Sequence, residues 1–281
     1  MAGKDKIEKY VIDPVDGMRA EVVGEWVCKE KHKRLVYYVD ASREARKKYI
    51  HRAGATLIDL YCGPGRIQNR DTKKFHDGGV VAACRKAREE GVPFTEVHIG
   101  DIDPENIEPC ISRLKKMGEN VFHYVGPAEQ TVEKVVKKLN LYGLHLAYLD
   151  PYNLQALPFT IIEHLASLKR MDMLMHVSAQ DLQRNMEKFI KAETSPLDIF
   201  APGWRDVVKN PSLPNHAMRA DVLEHWIELV RQLDMKPSEN FTLITGSKNQ
   251  RLYWLAFASR NPLPDKIWND IRNLNKQGEL L

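Results

Sequence analysis

The sequence predicts an α/β fold, a doubly wound and mainly parallel sheet that closes on an antiparallel hairpin, and three observations carry this. Short apolar runs alternate with amphipathic stretches five times between residues 55 and 178. Several of those runs end in an acid or a glycine turn, where an open α/β sheet places its ligand. The last two runs, in "FTLITGSKNQRLYWLAFASR" (241–260), are joined by a polar turn instead of a helix, which is a hairpin signature.

Composition sets the frame. The 281 residues, 43% hydrophobic and 28% charged, suffice for one large α/β domain or one domain with a substantial insertion. A net charge of +4 permits a polyanionic partner but is ordinary for a soluble enzyme. The four cysteines, at 28, 62, 84 and 110, form no C-x-x-C pair, so neither a zinc site nor a disulfide framework is expected. "MAGKDKIEKY" lacks the apolar core of a signal peptide, and no uncharged run reaches the length of a membrane span, so a soluble cytoplasmic protein is expected.

Residues 1–25 are polar with scattered turn formers, and "EWVCKEKHKRLVYYVDASREARKKYI" (25–50) spaces apolar residues at helical intervals among many bases; residues 1–50 are read as a helical extension. "ATLIDLY" (55–61) is a buried strand. The polar stretch at 67–77 is read as a loop insertion before the helix "GVVAACRKAREEG", which ends at Gly91. "FTEVHIGD" is the second strand, and Pro104 opens the helix running to Gly118. "VFHYVG", a helix from Ala128, "HLAYLD", a helix "PFTIIEHLASLKR" and "DMLMHVS" continue the alternation. Residues 180–236, rich in proline and aromatics before a helix, break it and are assigned as an insertion or cap. The core is then 51–179 with 237–265, and 266–281 is a C-terminal helix or tail.

Four strand ends are the candidate site. Asp59 and Tyr61 precede Gly63, Pro64 and Gly65, whose glycines let the backbone turn sharply beside a ligand; a turn without a ligand is the alternative for this pattern. Asp101 and Asp103 follow the second strand, where a carboxylate can accept from both hydroxyls of a ribose; for Asp103 a helix-terminal charge is an equal alternative. The interval of 42 residues from Asp59 to Asp101 exceeds the usual 20 or so because of the 67–77 insertion, and no G-x-G-x-x-G is present, which argues against a nicotinamide dehydrogenase. Gly126 and Ala128 give backbone room for an adenine, with Glu129 beside them, or simply start a helix. In "AYLDPYN", Pro151 restricts Asp150 to extended geometry, Tyr152 offers a flat face and Asn153 paired donors and acceptors, a cluster suited to a planar amine. The ten histidines show no metal-ligand spacing, so no metal is expected. Ser178 and Ser247 lack a G-x-S-x-G context. The basic stretches "KEKHKR" and "REARKK" are read as a solvated helix face.

The closing hairpin resembles that of the class I S-adenosylmethionine-dependent methyltransferases, whose last strand inserts antiparallel into a Rossmann-like sheet. More narrowly, "DGMRAEVVGEWVCKEKHKRLVYYVD", "LIDLYCGPGR", "LAYLDPYN", "LQRNM" and "LYWLAFASRNP" are together similar to the three-Cys-motif partner proteins of prokaryotes and phages, over residues 14–270 or so. That resemblance implies a methyltransferase-like fold, S-adenosylmethionine as cofactor, and a three-cysteine partner protein related to radical S-adenosylmethionine enzymes. Two departures stand out. Gly126-Pro127 replaces the Gly-Asp of many relatives, and Asp-Pro-Tyr-Asn lacks the second proline of the amino-methylating DNA enzymes while being similar to the Asp-Pro-Phe-Gly of guanine-N2 tRNA methyltransferases. The expected function is N-methylation of a nucleic-acid base or related amine, with cofactor contacts from Asp59, Tyr61, Gly63, Pro64, Gly65, Asp101, Asp103, Gly126 and Ala128, and catalysis at Asp150, Pro151, Tyr152 and Asn153. The rival is a non-catalytic nucleotide- or nucleic-acid-binding partner of the three-cysteine protein.

Overall fold

The computed structural model describes residues 8–208, 214–238, 241–246 and 250–277. Strands β1 (Tyr10–Ile12) and β2 (Arg19–Val23) come first, followed by a π-helical turn (Val27–His32) that runs into α1 (Lys33–Ala41) and the short α2 (Arg43–Lys47). β3 (Ala55–Asp59) is buried along its whole length, as a central parallel strand must be. After it come β4 (Arg66–Asn69), β5 (Phe75–Asp77), α3 (Gly79–Glu89), β6 (Glu96–Asp101), α4 (Pro104–Lys116), β7 (Val121–Val125), α5 (Ala128–Val136), β8 (Leu144–Leu149), α6 (Phe159–Ala166) and β9 (Met171–Val177). The chain continues through α7 (Ala179–Lys191), α8 (Pro196–Phe200), α9 (Trp204–Val207) and α10 (Asn215–Gln232) to β10 (Lys236–Pro237), β11 (Thr242–Thr245), β12 (Arg251–Ser259) and α11 (Pro262–Gln277).

The main sheet has the order β10-β12-β9-β8-β3-β6-β7, with β11 also on β12. The pairs among β3, β6, β7, β8 and β9 are parallel, and β12 enters antiparallel to β9, Trp254 opposite Val177 and Ser259 opposite Asp172. The doubly wound sheet with its closing antiparallel hairpin is therefore as the sequence predicts; the turn at 247–249 lies outside the described residues. Its two faces carry separate apolar layers. Leu35, Tyr38, Val80, Cys84 and Trp268 lie in one, under α1, α3 and α11. Ile162, Leu182, Phe200, Trp204 and Trp226 lie in the other, so the helices of 180–236 continue the core layer of α5 and α6.

Two expectations change. Residues 1–50 are not wholly helical, because "YVI" and "RAEVV" are strands, and the 67–77 segment is not merely a loop, because β4 and β5 lie within it and next to it. These four short strands form a second sheet, β1-β2-β4-β5, in which β2 and β4 run parallel. Each is too short to show a period, and only pairing between distant segments stabilises them. Arg113 of α4 fastens this sheet to the core through Asp16 (2.8 and 2.9 Å) and the carbonyls of Arg19 and Pro64.

Candidate functional site

The carboxyl ends of β3 and β8 meet at the point where the strand order reverses, which is where an open α/β sheet forms a crevice. Two cavities open there. The first, about 490 Å³, lies between the ends of β3, β6 and β7 and is roofed by Lys9, Tyr10 and Glu21 of the small sheet. The second, about 370 Å³, lies over the glycine loop and the start of α3 and is walled by Trp26, Lys31 and Tyr253. Glu21, Tyr61, Gly63, Asp150 and Tyr152 line both, so they form the neck between them.

The glycine loop is held from below. Asp59 is 2% exposed and its Oδ1 accepts from the Tyr61 N–H at 2.9 Å; burial pushes its carboxyl well above the usual range. Tyr61 donates its hydroxyl to the Ala156 carbonyl. Gly63 (φ +54°) and Gly65 (φ +73°) both adopt left-handed backbone, and Gly63 N–H donates to Asp101 Oδ2 at 2.9 Å. A Cβ on Gly65 would stand 3.0 Å from Cys110 Sγ and from Val81 Cγ2, so a side chain there would crowd both as well as strain the left-handed backbone. Pro64 contributes its carbonyl to Arg113.

Asp101 ends β6 and organises the next turn. Its Oδ1 accepts from Asp103 N–H (2.8 Å) and Asn106 Nδ2 (3.2 Å), which leaves an acceptor site on Oδ2 beyond the Gly63 bond, on the wall of the first cavity. Asp103 also borders that cavity, but its two oxygens cap α4 through Glu105 N–H and pair with Arg19 at 3.0 Å. Ile102 between them is 61% exposed toward the first cavity, opposite Pro127 and Ala128. Gly126 stands behind this wall, φ +131°, with its N–H on the Asp101 carbonyl at 3.0 Å.

Asp150 is more heavily engaged than the sequence suggests. Its Oδ1 accepts from Lys31 Nζ at 2.5 Å and lies 2.8 Å from His176 Nδ1. Burial alone would raise the carboxyl, but Lys31 and His176 outweigh it and hold it well below the usual carboxylate range. Oδ2 has one long bond, from the Tyr148 hydroxyl at 3.3 Å, and keeps capacity for another donor. Tyr152 is 77% exposed at the neck, while Asn153 turns inward and caps the loop by accepting from Ala156 N–H at 2.9 Å. Pro151 is buried against the second cavity.

Lys31 comes from the π-helical turn, a distortion that often marks functional positions. Its ammonium lies 5.6 Å from the Trp26 ring and 5.3 Å from the Tyr253 ring. Gly24 makes this possible, because a Cβ there would collide with the Trp26 indole. The Gly-x-Trp of the sequence thus places an aromatic wall for a lysine, a role that requires contacts between β8, β12 and the N-terminal segment. Neighbouring His32 is buried, and desolvation together with Lys31 lowers it to about 4, so it is neutral at pH 7.

Glu21 is the second residue that sequence reasoning missed. Among the carboxylates of the crevice it alone lacks a hydrogen-bond partner among the described residues, and burial raises its carboxyl. A Cβ at Gly63 would lie 3.7 Å from Glu21 Oε2, so strand β2 brings this carboxylate directly over the glycine loop. Around the neck, Glu21, Asp101 and Asp150 stand against Lys31 and Lys9, a surplus of acids suited to a cationic ligand. Among the described residues no cluster of histidine, cysteine and acid is arranged to hold a metal.

Strand order and crevice together define the Rossmann-like, class I methyltransferase type of sheet. Among solved structures, the chain is similar in fold to the bifunctional kinase-methyltransferase WbdD at 13% identity and a TM-score of 0.41, spanning 83% of this chain but 40% of that one. Cofactor-bound Rv0187 from MTB is similar at 15% identity and 0.43, over 83% and 81%. The plantazolicin methyltransferase BamL, in a complex containing SAH, is similar at 14% identity and 0.39, over 84% and 88%. No protein-family model and no curated protein matches the chain.

Proposed function

We propose that the chain is an S-adenosylmethionine-dependent N-methyltransferase acting on a nucleic-acid base or a related amine. The observation that carries this reading is the neck, where Glu21, without a hydrogen-bond partner among the described residues, faces Gly63, and Asp150, with its open Oδ2, lines the same two cavities as the exposed Tyr152. The residues fit the donor. Asp101 Oδ2 has room for a ribose hydroxyl, Ile102, Pro127 and Ala128 offer apolar walls for an adenine, and Glu21 meets the cationic methionine end. The donor supplies a methyl on a sulfonium that needs no further activation.

The chain's own work is then orientation and exclusion of water. Asp150 Oδ2 takes an N–H of the acceptor, Pro151 fixes that carboxylate at the rim, and Tyr152 stacks on the base. Lys31 and His176 keep Asp150 ionised and immobile, so the acceptor meets a fixed acceptor oxygen. Asn153 supports the turn that presents both. Replacement of Asp150 by Asn should abolish transfer of a tritiated methyl to oligonucleotide while sparing S-adenosylhomocysteine binding; full turnover by this variant would contradict the assignment.

A second reading is binding of nucleotide or nucleic acid without methyl transfer, an adaptor role beside a three-cysteine protein, and Lys31 favours it. Its ammonium already occupies Asp150 Oδ1, so the carboxylate has a buried cation as its partner without any acceptor amine. Donor binding with no transfer to any oligonucleotide would support this reading over the first.

A further inference from the structure

The second cavity does not end at the β9 rim. Gln180, in the first turn of α7, lines both it and a neighbouring groove of about 540 Å³. α7, α10 and β12 wall that groove with Arg184, Arg219, Arg251, His216 and the half-buried indole of Trp254, and none of its described lining residues is a carboxylate. Elsewhere in this part of the chain arginines have acidic partners: Arg205 pairs with Asp198, Arg231 with Glu228, and Arg260 with Asp234. The three groove arginines have no ion pair among the described residues. Two nearby acids are turned to other groups, Glu187 accepting from Asn215 at 3.0 Å and Asp181 from Leu154 N–H and Asn185.

We propose that this groove is the track for the phosphate backbone of a single-stranded nucleic acid whose base enters the crevice at Asp150. Three guanidinium groups with no ion pair among the described residues present the electrostatic demand of a polyanion. Trp254 supplies a face on which a base can stack regardless of sequence. Continuity through Gln180 gives the strand a route to Tyr152 and Asp150, and a single strand can splay a base into a pocket that an intact duplex cannot reach. The inference rests on the methyltransferase reading only for what happens at the end of that route.

The test is fluorescence anisotropy with labelled DNA and RNA single strands of one sequence, about 20 nucleotides long, and the corresponding DNA duplex. Three proteins are compared: the wild type, R184Q/R219Q/R251Q, and the control K115Q/K116Q/K134Q, whose exposed lysines lie on α4 and α5 outside the groove. The arginine variant should bind single strands at least about tenfold more weakly near 50 mM salt, with a log–log salt slope flatter by about 2, as expected for three lost phosphate contacts. The control should stay within about twofold of the wild type, and the tighter of the two single strands names the polymer. Equal losses in both variants, no binding by the wild type, or tighter binding of the duplex would overturn the proposal. Titration with S-adenosylhomocysteine on the same samples separates the two readings. Intact donor binding without strand binding removes the groove proposal alone, and arginine-dependent strand binding without donor binding removes the methyltransferase reading alone.

Discussion

Replacing Lys31 by methionine should destabilise the protein by about 3 kcal/mol, because it leaves a buried carboxylate without its principal counter-charge. The ammonium is 2.5 Å from Asp150 Oδ1, and the two side chains are 6% and 19% exposed. Breaking such a pair costs about 3–5 kcal/mol in general. The lower end applies because Asp150 keeps His176 at 2.8 Å and Tyr148 at 3.3 Å, and because methionine preserves the apolar stem between Trp26 and Tyr253. The pH dependence has a definite sign. Asp150 has a folded-state pKa depressed below its unfolded value near 3.9, so the stabilisation is complete above about pH 4 and is lost as acid protonates the carboxylate. Urea midpoints of wild type and K31M should therefore differ at pH 7 and converge as the pH falls below about 4. Adding D150N in a double-mutant cycle should recover at least about 1.5 kcal/mol of the loss. A K31M cost below about 0.5 kcal/mol, or a coupling energy near zero, would refute the reasoning.

Two further outcomes are expected. Glu21→Gln should weaken S-adenosylmethionine binding about tenfold or more by calorimetry, the worth of a charged hydrogen bond, and leave adenosine, which lacks the cationic tail, bound as before. Gly65→Ala forces a side chain into left-handed backbone and against Cys110 and Val81, and should cost about 1–3 kcal/mol in a urea melt; an unchanged midpoint would show that the loop relaxes freely.

Much of this architecture is legible in the chain because parallel strands buried on both faces must be short and apolar. "TLID", "VHIGD" and "LAYLD" show this directly, and each acid falls at the rim where its strand leaves the core. The hairpin is legible for the opposite reason, since no helix separates its two runs. The four-stranded roof is not legible. "YVI", "RIQN" and "FHD" owe their extended form to partners up to dozens of residues away, and local pattern carries no trace of that pairing. For the same reason Glu21 and Lys31 escape a reading by motif. Each lies in a polar or basic stretch that resembles a solvated surface, and each becomes part of the crevice only when the small sheet and the π-helical turn fold over β3 and β8. Asp103 shows the converse, a correctly placed acid whose oxygens serve helix α4 and Arg19.

The central claim is that the crevice at β3, β6 and β8 receives S-adenosylmethionine. Calorimetric titration of the folded wild type with S-adenosylhomocysteine tests it most directly, alongside Gly63→Val, whose side chain would enter the neck beside Glu21. Micromolar binding by the wild type, lost in the variant, is the predicted result. No heat of binding by a folded wild type, or equal binding by both proteins, would contradict it.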